Sequence, residues 1–286
     1  MRIMMIRYFC LLGVLLYPSA SLTYSDHYEK RIAKQLVEGP IAQEVLWAEV
    51  SGREFVMLYR GYHSKQAKGV LIVLHQMGAH PDWPQVINPI RTRLPALGWA
   101  TLSIQLPVLS PEQAIADYGL TLDNAKQRVR AAVKLLQKRG FLNIIIIGHS
   151  FGAATAAYAL SDNELKGVKA FVGISMQAPQ FLSPRLKLLK QLQAIDIPIL
   201  DIYGSDDNSK ILREVDDRRL AAQKNANESY QQVSIEGAGH YFTGFEDVLI
   251  RRVNDWMTRT SEGIGAMVNA EEMFTEQAKQ APKSGE

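Results

Sequence analysis

From Lys68 onward, short unbroken apolar runs at residues 69–75, 99–104, 143–148, 168–175, 197–203 and 231–236 alternate with segments of helical period at 83–97, 122–139, 152–160, 184–195, 210–224 and 244–259. That alternation constrains the fold more than any other feature of the chain. Strands that are apolar throughout, rather than at every second position, are buried on both faces, as strands of a parallel sheet are. The helical segments between them then act as crossovers, and the expected architecture is α/β, a doubly wound and mostly parallel sheet with helices on both sides. Ahead of it, residues 42–50 and 54–62 are strand-forming runs separated by Ser51-Gly52, which predicts an antiparallel N-terminal hairpin. Asp123 is the expected N-cap and Gly140 the expected stop of the helix over 122–139. Ligands of such sheets bind beyond the carboxyl ends of the strands, so the residues that follow each apolar run are the ones to search.

The two ends of the chain read differently. Arg2 and Arg7 precede an uncharged stretch with the apolar heart Tyr8-Phe9-Cys10-Leu11-Leu12-Gly13-Val14-Leu15-Leu16-Tyr17, and Pro18, Ser19, Ser21 and Thr23 follow it closely. This is the layout of a signal peptide over 1–21 with cleavage expected after Ser21. The apolar stretch falls short of the roughly 20 residues a membrane-spanning helix needs, so a retained signal anchor is the alternative reading and no stable span is expected after cleavage. Cys10, the only cysteine, lies inside this leader without small residues before it, so neither a disulfide, a lipid anchor nor a Cys-based metal site is expected. The division that follows is a leader over 1–21, an extension over 22–41, one α/β domain over 42–259 and a C-terminal tail over 260–286, expected to be loose because it lacks an apolar period. With 47% hydrophobic and 21% charged residues the chain can build one sizeable core. Removing Arg2 and Arg7 from the formal charge of +3 leaves +1, which gives no reason to expect a nucleic-acid partner. The local basic run at Arg185, Lys187 and Lys190 is interleaved with leucines and reads as the solvated face of a half-buried helix.

The chemistry-bearing pattern is Gly148-His149-Ser150-Phe151-Gly152, placed between Ile144-Ile145-Ile146-Ile147 and Ala153-Ala154-Thr155-Ala156-Ala157. A serine hydroxyl is a poor nucleophile, and it needs to be held clear of the sheet, within reach of a base and beside amides that stabilise an oxyanion. Strand, tight turn and small-residue helix supply that setting, with Gly148 and Gly152 permitting the turn. In this context the chain resembles an α/β-hydrolase from about Gln43 to Thr258, and the five-residue pattern is similar to that family's nucleophile elbow. The resemblance implies the triad order Ser, acid, His. Gly204-Ser205-Asp206-Asp207 closes one apolar run and Gly237-Ala238-Gly239-His240 closes the last, which makes His240 the general base and Asp207 the orienting acid, with Asp206 as the alternative. The run over 168–175 ends in Ser175-Met176-Gln177-Ala178 and offers no carboxylate.

The loop His75-Gln76-Met77-Gly78-Ala79-His80 resembles the family's oxyanion loop, which implies an oxyanion hole of the Met77 and Phe151 backbone amides. Gln76 departs from the family's frequent glycine and leaves the loop's conformation open. His75 is expected to brace this loop, His80 and Trp83 are candidates for the mouth of the site, and His27, His63 and His149 are expected to be structural. No spacing of His, Cys and carboxylates matches a metal site, and no cofactor is implied. The stretch from Gln76 to Pro84, together with the leader, also resembles a group of exported proteobacterial proteins of this fold, which implies a periplasmic location. The expected activity is a serine hydrolase, carboxylesterase-like, acting on a small-molecule ester or thioester through an acyl-enzyme. The rival from another class is a non-catalytic binding or envelope-assembly protein on the same scaffold.

Overall fold

A computed structural model describes residues 20–39, 44–177, 182–224 and 229–267. Residues 1–19 of the leader (1–21) and 268–286 of the tail (260–286) lie outside the described residues, as do 178–181 of the loop after the 168–175 run. The strands are β1 (Glu44–Val50), β2 (Arg53–Arg60), β3 (Gly69–Leu74), β4 (Trp99–Ile104), β5 (Ile144–His149), β6 (Val168–Ile174), β7 (Ile199–Gly204) and β8 (Tyr230–Ile235). The helices are α1 (Ala20–Glu38), α2 (Ile87–Arg93), α3 (Tyr118–Lys138), α4 (Phe151–Leu160), α5 (Leu188–Gln193), α6 (Ser209–Arg213), α7 (Val215–Lys224) and α8 (Glu246–Thr260).

Among the described residues the strands form one eight-stranded sheet in the order β1-β2-β4-β3-β5-β6-β7-β8. β1 pairs antiparallel with β2 and β2 antiparallel with β4, while every pairing from β4 to β8 is parallel. This is the α/β architecture with an antiparallel hairpin that the apolar rhythm predicts. The central strands β3, β4 and β5 are buried along their whole length, which is why their sequences are continuous rather than alternating. Alternate residues still serve opposite layers. Ile144 and Ile146 join the core under α3 and α4, whereas Ile145 and Ile147 join the core under α2 and α8.

One local reading changes and its companion holds. α3 begins at Tyr118, so Asp123 lies inside the helix and does not cap it. The Asp123 carboxylate is instead taken by Arg185 Nη1 at 2.9 and 3.0 Å and by the Tyr158 hydroxyl at 3.0 Å, and the first turn of α3 is anchored by the buried Tyr118. Gly140 follows the end of α3 with φ 83°, a left-handed conformation that suits glycine, and its N–H bonds Gln137 O at 3.0 Å.

The extension before the hairpin forms α1, which is docked on the sheet. Ala33 and Leu36 pack on Val56 and Leu58 of β2. Glu29 is buried and pairs with Arg128 of α3 at 2.7 Å, while its other carboxylate oxygen accepts Val108 N–H at 2.9 Å. At the other end, the chain beyond α8 folds back as far as Met267, which is buried and bridges to Phe141. No helix among the described residues is long and apolar enough to cross a membrane.

Candidate active site

Ser150 sits on the turn between β5 and α4 with φ 55° and ψ −118°, a strained conformation for a residue with a side chain. The flanking glycines show how the turn is made. A Cβ on Gly148 would stand 2.6 Å from Ala153 Cα, and one on Gly152 would stand 2.5 Å from the Leu74 and His75 carbonyl oxygens. Only glycine lets α4 start this close to β5 and β3. The Phe151 amide opens α4, where the helix dipole favours negative charge. Neither the Phe151 nor the Met77 N–H is engaged by another backbone or side-chain acceptor among the described residues.

The five loops that leave the carboxyl ends of β3, β5, β6, β7 and β8 carry Gln76, Ser150, Ser175, Asp207 and His240 in turn. His240 Nδ1–H donates to Asp207 Oδ1 at 2.8 Å, and that oxygen also accepts Asn208 N–H at 2.7 Å. The Ser175 hydroxyl donates to Asp207 Oδ2. Burial would push the Asp207 carboxyl up, but the bonds from His240, Ser175 and Asn208 together hold it below its ordinary range. Asp206, by contrast, is exposed, and among the described residues its side chain accepts only from the Ser205 hydroxyl, at 3.1 Å. The geometry therefore separates the two aspartates and joins Asp207 to His240.

His149 ties this arrangement to the nucleophile. Its ring lies 4.9 Å from that of His240, its Nε2 is 3.0 Å from the His240 carbonyl oxygen and its Nδ1 is 3.0 Å from the Gln76 carboxamide. Burial lowers its pKa to about 3, so the imidazole is neutral and carries one N–H. A carbonyl can only accept, so that proton is on Nε2. Nδ1 must then accept, which turns the Gln76 amide group with its NH2 toward the ring. Gln76 thus links the oxyanion loop to the elbow and, through His149, to the loop of His240. The Ser150 hydroxyl itself makes no hydrogen bond to His240 in this structure; nucleophile-to-base contacts of this kind commonly tighten only with substrate in place.

His75 braces the oxyanion loop in the expected way. Nδ1–H donates to Gln76 O at 2.8 Å and Nε2 accepts Leu106 N–H at 3.0 Å, while burial brings the ring's pKa to about 3. His80 and Trp83 meet edge-on at 5.3 Å, and Asp82 N–H donates to His80 Nδ1 at 3.2 Å. No hydrogen bond or ring contact joins either of them to Ser150 or His240. Trp83 is partly buried and packs instead against the apolar core on the α2 and α8 side of the sheet. Among the described residues no group of three or more His, Cys, Asp or Glu is placed to hold a metal ion. Sequence reasoning did not find the role of Ser175, which has no motif around it, nor the tether made by Gln76, which stood out only as a departure from glycine.

The comparisons agree with this geometry at the level of fold. A family model described as "Protein of unknown function (DUF3530)" matches residues 18–121 and 110–259. No curated protein matches the chain significantly by sequence. Among solved structures, Est1E from Butyrivibrio proteoclasticus is similar at a TM-score of 0.60 and 14% identity, covering 76% of this chain and 98% of its own. The esterase Pf2001 from Pyrococcus furiosus has a TM-score of 0.60 at 17% identity, covering 79% of this chain and 93% of its own. Dienelactone hydrolase from Anabaena variabilis has a TM-score of 0.58 at 20% identity, covering 76% and 97%. The fold is that of the α/β-hydrolases.

Proposed function

Because the chain belongs to the DUF3530 family, whose description names no activity, we propose from its site that it is a serine hydrolase acting on ester-type acyl substrates. Ser150 is the nucleophile, His240 the general base and Asp207 the group that orients His240 and stabilises its protonated form. His240 takes the Ser150 proton as the serine oxygen adds to the carbonyl, and the Phe151 and Met77 amides hold the oxyanion. His240 then returns the proton to the leaving group, leaving an acyl-enzyme that water hydrolyses by the same route.

The observation that carries this reading is the Asp207–His240 hydrogen bond at 2.8 Å, with His240 held through His149 beside the strained Ser150 elbow. The substrate class is a small carboxylic ester or thioester. One Est1E structure is described with ferulic acid bound, so hydroxycinnamoyl esters belong in a panel beside short acyl esters.

The test is a fluorophosphonate probe on the purified protein, followed by peptide mapping. Labelling at Ser150, absent in Ser150→Ala along with ester turnover, is the expected result. A folded wild-type protein inert to both probe and ester panel overturns the reading. It favours instead a binding protein on this scaffold, for which the unmade Ser150–His240 hydrogen bond is the supporting observation. The proposal includes export to the periplasm by the leader over 1–21. Cleavage after Ser21 falls at the very start of α1 and leaves the chain beginning at Leu22. N-terminal sequencing of protein from a periplasmic fraction checks this, and an intact Met1 there would refute cleavage.

A further inference from the structure

Tyr118, which opens α3, is a buried phenol that no step above uses, and it stands at the oxyanion loop. Its hydroxyl oxygen accepts Gly78 N–H at 3.1 Å and Leu109 N–H at 3.3 Å. Gly78 directly follows Met77, and the Tyr118 ring meets the Phe151 ring edge-on with centroids 5.8 Å apart. The phenol therefore stands between Phe151 and Gly78, the residue that follows Met77, and the amides of Phe151 and Met77 are the two proposed to form the oxyanion hole.

The hydrogen-bond inventory of the hydroxyl is incomplete in one direction only. A phenol oxygen accepts through its lone pairs and donates through one proton. Two N–H groups occupy the accepting side, and no group among the described residues accepts the Tyr118 proton. Accepting two bonds polarises an O–H toward stronger donation. Burial pushes the phenol's pKa up against the opposing effect of the Leu109 and Gly78 amides, so the proton stays on oxygen.

We propose that Tyr118 is a third oxyanion donor, its O–H hydrogen-bonding the substrate carbonyl oxygen as Ser150 adds to the carbonyl carbon. This rests on the serine-hydrolase reading. Tyr118 transfers no proton: the Ser150 proton passes to His240 and then to the leaving group, and the phenol's hydrogen bond strengthens as negative charge gathers on the carbonyl oxygen. The same hydroxyl ties the oxyanion loop to the loop after β4, so a test must separate donation from bracing.

Fluorinated tyrosines at position 118 make that separation. Fluorine raises the acidity of the phenol while leaving its oxygen able to accept from Gly78 and Leu109. With 3-fluorotyrosine and 3,5-difluorotyrosine, at a pH where the phenol stays protonated, kcat for ester hydrolysis should rise with phenol acidity. Tyr118→Phe should lower kcat by about 10²-fold, the scale of losing one oxyanion donor, with KM moving far less. A boronic acid that mimics the tetrahedral intermediate should lose affinity in parallel. Rates that are flat across the fluorinated series overturn the proposal and leave Tyr118 as a brace, and so does an unchanged kcat in Tyr118→Phe. Should Tyr118→Phe fail to fold, the fluorinated series alone decides. Labelling of wild-type Ser150 by a fluorophosphonate keeps the two readings apart: a labelled protein with a flat series refutes the role of Tyr118 alone, while an unlabelled one removes both.

Discussion

Asp206 and Asp207 are neighbours in the chain, and the turn after β7 sends one to solvent and the other under His240. Asp207→Asn should lower kcat by about 10⁴-fold, because the amide would hold the imidazole in the wrong tautomer, whereas Asp206→Asn should leave ester turnover within two-fold, roughly the scatter of a remote surface change. Equal losses in the two variants would refute the assignment. Gln76 makes a second residue-scale prediction. Gln76→Ala leaves the buried His149 Nδ1 without its donor, a cost of about 1–3 kcal/mol. The expected outcome is a lower melting temperature together with a fall in kcat, since the His240 loop loses part of its hold; a variant that melts early but keeps full kcat would show the tether to be structural only. Ser150, His240 and the pair Asp206-Asp207 were legible in the sequence because each closes an apolar run. Ser175 and the Gln76 tether were not, because where a loop side chain points depends on partners about 30 and 70 residues away.

At the scale of elements, α1 is held by more than its small apolar face. The Glu29–Arg128 pair is buried on both sides, and Arg128 also donates to Gln105 O at 3.1 Å, at the start of the loop that leads to Tyr118. Removing one partner of such a pair strands a buried charge, so Glu29→Ala should destabilise the fold by about 3–5 kcal/mol in urea titration, while an apolar replacement of both partners should recover most of it. A loss under about 1 kcal/mol, the range of an exposed pair such as Arg185–Asp123, would refute the clamp. The start of α3 belongs to this scale as well. An aspartate followed by helical period is a fair N-cap signal, but the first turn is fixed by Tyr118 reaching Gly78 and Leu109, a contact between segments that local propensity does not encode.

For the whole molecule, two buried imidazoles set a direction for pH. The pKa values of His75 and His149 are lowered to about 3 by burial. Unfolded, each would titrate near 6.5, so below that pH the unfolded chain binds protons that the folded one refuses. Stability should fall as pH drops from about 6.5 toward 3, by up to about 1.4 kcal/mol per pH unit for each ring. Urea midpoints that are equal at pH 7 and pH 5 would contradict this. The depressed Asp207 carboxyl adds a further loss only at lower pH, where it takes up a proton on unfolding.

What the sequence determined alone is the succession of strands and crossovers along the chain, the side of the sheet on which chemistry gathers, and the serine, the aspartate pair and the histidine placed at the ends of β5, β7 and β8. Those follow from local rules: apolar runs must be buried, glycines permit tight turns, and a parallel sheet sends successive strand ends to one edge. Only the tertiary structure decided which aspartate faces His240, which way Gln76 turns, where α3 begins and that Glu29 lies against Arg128. Each of these is a choice between side-chain directions that cost nearly the same within a segment, and it is settled by a hydrogen-bond partner that arrives from a distant part of the chain.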